Sequence, residues 1–335
     1  MMHLRMSLET NELFATFDHS ERRITTMQRE TKLFISTLLI AVACATRTGL
    51  VADDQQARDE KKGQRRIGLL DWHTNYLSAY EQARAEQKQL LIFFRDETKP
   101  CVADNYESRV LASDKLWTPL SQYVRAVLPL DTPEPLAKGE EDQVERPKRL
   151  VDHQAFVYMN KRQGIAVIDL AEPKTKPYGF VTSAHPFTPG RYYSAAAMQT
   201  VLGLPHGTLT QRTLLYALRM HPEQPRYPNS GMNGYLSEQA KQASSVMAQL
   251  EQVGHHNWGY RFQTITSALG RPVSEVAASG NGETLVDAAV SCVAAWRGSP
   301  AHWQMINNNP LFYGYDLVRG RSGQWYATGI LGSGR

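Results

Sequence analysis

Cysteine is scarce in this chain. Its 335 residues hold three, Cys44, Cys101 and Cys292, spaced too widely for a zinc knuckle, a CxxC dithiol or a disulfide framework. The apolar run at 33–46, LFISTLLIAVACAT, stops at fourteen residues, short of the roughly 20 that a spanning helix needs. An excess of one charge is also missing. The 37 basic and 33 acidic residues leave a net +4, and no basic stripe interleaves with aromatics, which argues against nucleic-acid or polybasic membrane binding. What is present is ordinary for a folded protein: 42% hydrophobic and 21% charged residues. The length suits two domains behind a leader.

The run at 33–46 has the size of a signal-peptide core, preceded by Arg29 and Lys32 and followed by the small-x-small triplet Ala43-Cys44-Ala45. Ala41-Val42-Ala43-Cys44 also resembles a lipoprotein box without its leading leucine. A start at Met27 would give a conventional basic front end, MQRETK, whereas a start at Met1 gives an unusually long one. An uncleaved signal anchor is the alternative. The expectation is a leader over 1–46, a polar linker over 47–65, and a secreted, periplasmic or cell-envelope protein. Membrane attachment enters only through a signal anchor or lipidation at Cys44.

Beyond the linker, residues 66–170 read as a first α/β domain. Tyr76–Glu86 has helical spacing, and Gln89–Phe94 is a short apolar run of the buried-strand kind. Helices are expected at 103–112 and 114–123, a strand at Val124–Leu130, and two adjacent strands at Ala155–Met159 and Gly164–Leu170. Residues 131–148 read as a surface excursion. Residues 171–204, with prolines, glycines, tyrosines and a short helix at 193–203, read as a junction.

Residues 205–335 form the second expected domain. Leu209–Met220 and Leu236–Val253 read as amphipathic helices, the second with Leu236, Ala240, Ala243, Met247 and Leu250 on one face and Gly254 as its C-cap. A short helix over about 260–268 precedes Glu275 in the segment Ser274–Ala278. Glu283–Trp296 follows as a helix with Leu285, Ala289, Cys292 and Trp296 along one face. Ser299-Pro300 then starts the helix that carries His302, with Ser299 as its expected cap. Leu311–Leu317 and Gln324–Leu331 close the chain as strands.

The order of elements in 66–170 resembles the thioredoxin-like fold. The family's dithiol would follow the Leu91–Phe94 strand, where Cys101 stands alone. A dithiol exchange cycle needs a resolving thiol, so the resemblance implies the fold without the redox chemistry. The alternative is a residual thiol role for Cys101 near a helix start. Residues 205–335 are similar to the CAP or SCP-like superfamily (cysteine-rich secretory, antigen 5 and pathogenesis-related-1 proteins) in its bacterial form. The similarity rests on Ala240…Ala243…Met247-Ala248…His255-His256, on Glu275, on Trp296-Arg297-Gly298-Ser299-Pro300-Ala301-His302, and on Gly314 and Trp325-Tyr326-Ala327-Thr328. The expected class is α/β: a thioredoxin-like domain followed by a CAP-type α-β-α sandwich.

The CAP resemblance implies a cleft built from His302, Glu275 and either His255 or His256. The second glutamate of eukaryotic members is absent, since Gly298 and Ser299 follow the tryptophan. No cofactor is required. The resemblance implies at most a weakly held divalent metal such as zinc, because two imidazoles and one carboxylate can hold zinc with an open fourth position. Three readings follow. The first is an exported binding or interaction module for an extracellular or envelope ligand or protein, working through the His/Glu/His cleft. The second is a weak metal-assisted hydrolase using the same cleft, and the third is the thiol role of Cys101. Trp258 either lines that cleft or packs as a core aromatic.

Overall fold

Two short strands, Gln64–Ile67 (β1) and Leu70–His73 (β2), pair antiparallel as a hairpin. The structure is a computed structural model that describes residues 63–135, 148–189, 192–225 and 230–332. Gly63–Arg335 clusters as one compact unit. The leader, with Cys44 and Met27, lies outside the described residues. Strand β1 begins at Gln64, so pairing starts inside the segment read as linker.

Asn75 accepts a hydrogen bond from the Ser78 amide and so starts helix Tyr76–Glu86 (α1), which buries Ala79 and Ala83. Strand Leu90–Arg95 (β3) is buried along its whole length. Its alternate side chains serve two cores. Leu91 and Phe93 pack with Tyr106, Leu116 and Leu120, while Leu90, Ile92 and Phe94 pack with Ala79, Ala83, Phe156 and Met159. Burying one such phenylalanine contributes about 2–3 kcal/mol. That two-sided burial is why the run reads as continuous apolar sequence rather than alternation.

Helix Pro100–Tyr106 (α2) runs into a π-helical turn at Glu107–Leu111, and Asp114–Ser121 (α3) follows. Strand Val124–Pro129 (β4) lies parallel to both β2 and β3. Strand Gly164–Ile168 (β5) runs antiparallel to β3, and Val181–Pro186 (β6) runs antiparallel to β5. The six-stranded sheet has the order β1-β2-β4-β3-β5-β6.

Two expectations are corrected here. Gln154–Met159, read as a strand over Ala155–Met159, is a 3-10 helix that buries Phe156 and Met159 three residues apart and leaves Val157 exposed. The expected strand at Gly164–Leu170 is present as β5, and its antiparallel neighbour besides β3 is instead β6, inside the segment read as junction. Its Thr182, Ser183 and His185 are fully buried and interrupt the apolar pattern.

Helix Ala195–Leu202 (α4) leads to Leu209–Arg219 (α5), which a Thr208/Gln211 capping box starts. Arg212 of α5 is fully buried. It donates to Ser183 Oγ of β6 and to the carbonyls of Val201, Leu204 and Pro205. This donor set ties the first sheet to the second half of the unit.

The second half contains a four-stranded sheet. Gly231–Met232 (β7) precedes the long helix Gly234–Leu250 (α6) and the helix Trp258–Leu269 (α7). Strand Val273–Gly280 (β8), helices Leu285–Arg297 (α8) and Pro300–Asn307 (α9), and strands Phe312–Arg319 (β9) and Trp325–Gly332 (β10) complete it. The sheet order is β7-β9-β10-β8. One face packs Val276, Tyr313, Tyr315 and Ala327 against α5 and α8. The other packs Val273, Ala277, Tyr326 and Ile330 against α6 and α7. This half is therefore helix, sheet, helix in layers. At Gly314 the α6 backbone comes so close that a Cβ would overlap the Leu236 carbonyl carbon and the Ser237 nitrogen. Among the described residues no helix is long and apolar enough to cross a membrane.

Candidate functional site

Helix α6 buries Leu236, Ala240, Ala243 and Met247 but leaves Leu250 exposed. It ends through Glu251, whose left-handed backbone sends its N–H to the Met247 carbonyl. Gly254, expected as the cap, lies beyond that turn. The turn delivers His255 and His256 to a short loop before Asn257, also left-handed, opens α7.

The two adjacent histidines part company here. His255 Nδ1 lies 3.0 Å from Glu275 Oε1. Its ring centroid is 5.6 Å from that of His302, edge to face. His256 turns away, with Nε2 3.3 Å from the Gln252 carbonyl of its own loop. Of the two, His255 is the one that meets both Glu275 and His302.

Glu275 sits on β8 at the same parity as Val273 and Ala277, facing α6 and α7. Its side chain is 1% exposed. A buried carboxylate requires a counter-charge and full hydrogen bonding. Arg261 of α7 supplies the charge: Nη1 donates to Glu275 Oε2 at 2.5 Å, and Nη2 donates to the Gln239 carbonyl at 3.3 Å. The guanidinium also stands 5.4 Å from the Trp258 ring centroid. Sequence reasoning missed Arg261. The available signal was Trp258 three residues before it, a spacing that puts both on one side of a helix.

His302 lies in the first turn of α9, half-buried. Pro300 occupies the helix start, while Ser299 makes no side-chain capping bond. Burial, and secondly the neighbouring His255, hold the His302 imidazole below its ordinary value. Trp258 packs edge to face against Phe262 at 5.8 Å and also floors the Arg261 guanidinium. The loop and helix beside the site expose Leu250, Val253 and Tyr260, the last at 75%.

A divalent metal does not fit this donor set. One Glu275 oxygen is held by the Arg261 guanidinium and the other by the His255 ring. Among the described residues no group of three or more His, Cys, Asp or Glu side chains is placed to hold a metal. With Glu275 accepting the Nδ1–H proton, His255 keeps a free Nε2 lone pair, which can accept a hydrogen bond or a proton.

Elsewhere, a polar groove of about 280 Å³ includes His73, Gln82, Glu86, Lys88 and Arg125 in its walls. Its groups engage one another: His73 Nε2 with Gln82 Oε1 at 2.7 Å, Gln82 Nε2 with Glu86 Oε1 at 2.7 Å, and Lys88 with Glu86 at 2.8 Å. Cys101 is an exposed free thiol in the first turn of α2, and Cys292 is a free thiol buried on α8.

No protein-family model matches the chain, and no curated protein matches it. Among solved structures, an outer surface protein from Borrelia burgdorferi is similar with a TM-score of 0.30 and 16% identity, over 36% of this chain and 90% of that one. At that score the likeness says nothing about the fold or role of this chain.

Proposed function

We propose that the protein is an exported CAP-type binding or interaction module that engages an envelope or extracellular ligand through the His255, Glu275 and His302 cleft. The thioredoxin-like half serves as scaffold or second binding surface. The observation that carries the reading is the internal neutralisation of Glu275 by Arg261, with the His255 ring hydrogen-bonded to the other carboxylate oxygen. It leaves the cleft a hydrogen-bonding face of two imidazoles rather than a charged catalytic centre. Exposed Tyr260, Leu250 and Val253 nearby add apolar surface of the kind that binding sites use.

The CAP-type reading is supported by the layered sheet and by the convergence of His255, Glu275 and His302 from three separate stretches. The thioredoxin-like reading is supported by the order β2-β4-β3-β5-β6, with β3 parallel to β4 and antiparallel to β5. Fold alone does not assign activity.

A second reading, a weak hydrolase, is favoured by one contact. The His255–Glu275 hydrogen bond is the arrangement of a general base and its orienting carboxylate. Any such activity should persist in chelator, since Arg261 rather than a metal balances the carboxylate.

The test is a binding comparison of the wild type with Glu275→Gln and His302→Ala, using peptidoglycan fragments, vesicles of envelope lipid composition and purified envelope proteins as separate probes. Binding of one probe class that weakens in both variants supports the module reading. Binding that neither change affects, or no binding in any arm, counts against it.

A further inference from the structure

We infer that the cleft takes an uncharged, hydroxyl-rich ligand of the saccharide class, held between His255 and His302 by hydrogen bonds and by no charge contact. This ligand class rests on the cleft being the binding site, as proposed above. His255 turns Nδ1 toward Glu275 Oε1 at 3.0 Å, so that nitrogen bears the proton and Nε2 keeps its lone pair. Among the described residues nothing bonds to that Nε2, nor to either ring nitrogen of His302. His302 differs in this from the other histidines that reach solvent. His73, His153, His206, His221 and His256 each engage at least one ring nitrogen. The rings of His255, which is exposed, and of His302, which is half-buried, stand edge to face with centroids 5.6 Å apart.

The surroundings of the two rings carry no spare charge. Glu275 is buried, and Arg261 Nη1 donates at 2.5 Å to its Oε2, the oxygen that does not face His255. Arg261 Nη2 donates to the Gln239 carbonyl at 3.3 Å. An anion therefore finds no free guanidinium here, and an ammonium group finds no free carboxylate. Burial, and secondly His255, hold His302 toward its neutral form, which has one N–H donor and one acceptor nitrogen. The cleft thus offers two acceptors and one donor in one small patch. Neighbouring hydroxyls of a sugar ring each donate and accept, so they meet both rings at once. An extended peptide turns successive N–H groups to opposite sides and brings fewer donors to one spot. Tyr260, beside Arg261 in the first turn of α7 and 75% exposed, adds an aromatic face for the C–H side of a sugar ring.

Calorimetry and the imidazole nitrogen shifts of the whole protein test this at neutral pH. The probes are uncharged tetramers of N-acetylglucosamine, glucose and mannose, with a sulfated N-acetylglucosamine tetramer and a glucosamine tetramer as charged controls. At least one uncharged tetramer should bind saturably, displace the signals of both His255 and His302, and bind roughly tenfold more tightly than either control. His302→Ala should weaken that binding about tenfold through the lost hydrogen bonds. His302→Gln, whose amide also donates and accepts without charge, should restore most of it. No binding by any uncharged tetramer would overturn the inference, as would tighter binding of a charged control. So would binding that leaves both imidazole signals in place, or a His302→Gln no better than His302→Ala. Should His302→Ala fail to fold, the wild-type shifts and the charged controls decide. Vesicles or envelope proteins that bind through the cleft while no saccharide does would overturn this ligand class and leave the binding-module reading standing.

Discussion

Arg261 and Glu275 meet at 2.5 Å across the gap between helix α7 and strand β8. The glutamate is buried and the arginine nearly so, with side chains 1% and 15% exposed. Such a pair costs little to keep and much to halve. Removing one member strands the other's charge, whereas replacing both with apolar groups is often close to neutral. Arg261→Ala should therefore destabilise by about 3 kcal/mol in denaturant unfolding, and Arg261→Met/Glu275→Leu by much less than the two single changes together. Additive losses would mean that the pair is not coupled.

A second prediction concerns acid. His185 on β6 is fully buried, and neither ring nitrogen has a hydrogen-bond partner. Tyr193 and Tyr216 enclose it at 5.2 and 4.7 Å, and Arg212 is the charged group acting on it. Burial, and secondly Arg212, push its pKa down from 6.5 to about 3. The folded state is then neutral where the unfolded chain is protonated. Stability is fully present above about pH 6.5 and falls as pH drops toward 3, by roughly 1.4 kcal/mol per pH unit from this group. His185→Phe should flatten that limb in unfolding curves taken at successive pH values. An unchanged slope would contradict the assignment.

The contact of α6 with β9 yields a third prediction. Gly314 is required by proximity rather than by backbone conformation, because the Leu236 and Ser237 backbone atoms fill the place of a side chain. Gly314→Ala should cost about 3 kcal/mol or more by forcing helix and strand apart. A variant as stable as the wild type would show that the two elements can separate at little cost.

The described cysteines give a fourth. Burial pushes the Cys292 thiol up to about 12, whereas Cys101 is exposed. In the native protein a thiol reagent should label Cys101 and spare Cys292 until denaturant is added. Catalytic turnover in a disulfide-reductase assay, abolished by Cys101→Ser, would support the thiol reading of Cys101 instead of the binding-module reading.

The elements that were legible in the sequence are those whose buried residues repeat at one period. Leu285, Ala289, Cys292 and Trp296 are all buried on α8, as their spacing implies. Leu250 broke the pattern of α6 because the helix ends there and Glu251 turns the chain. The 3-10 segment at Gln154–Met159 was misread because its burial repeats every three residues, which over so few positions passes for alternation. Strand β6 was invisible for a different reason. Its buried Ser183 is tolerated only because Arg212 donates to it from another element.

The candidate site divides along the same line. His255, Glu275 and His302 were readable as residue types in order, but the choice between His255 and His256 depended on the turn after α6. Arg261 was hidden because a single arginine on a surface-spaced helix has no local mark of burial. Only the long-range contact with Glu275 gives it a role.

The most direct measurement of the cleft is a nuclear magnetic resonance pH titration of the imidazole signals of His255 and His302 in metal-free protein. The predicted result is a His302 that titrates below the ordinary imidazole value and moves back toward it in His255→Gln, since burial and secondly His255 hold it down. His255 should carry its proton on Nδ1, facing Glu275. A His302 that titrates at the ordinary value and does not respond to His255→Gln would contradict the juxtaposition of His255 and His302 on which the site is built.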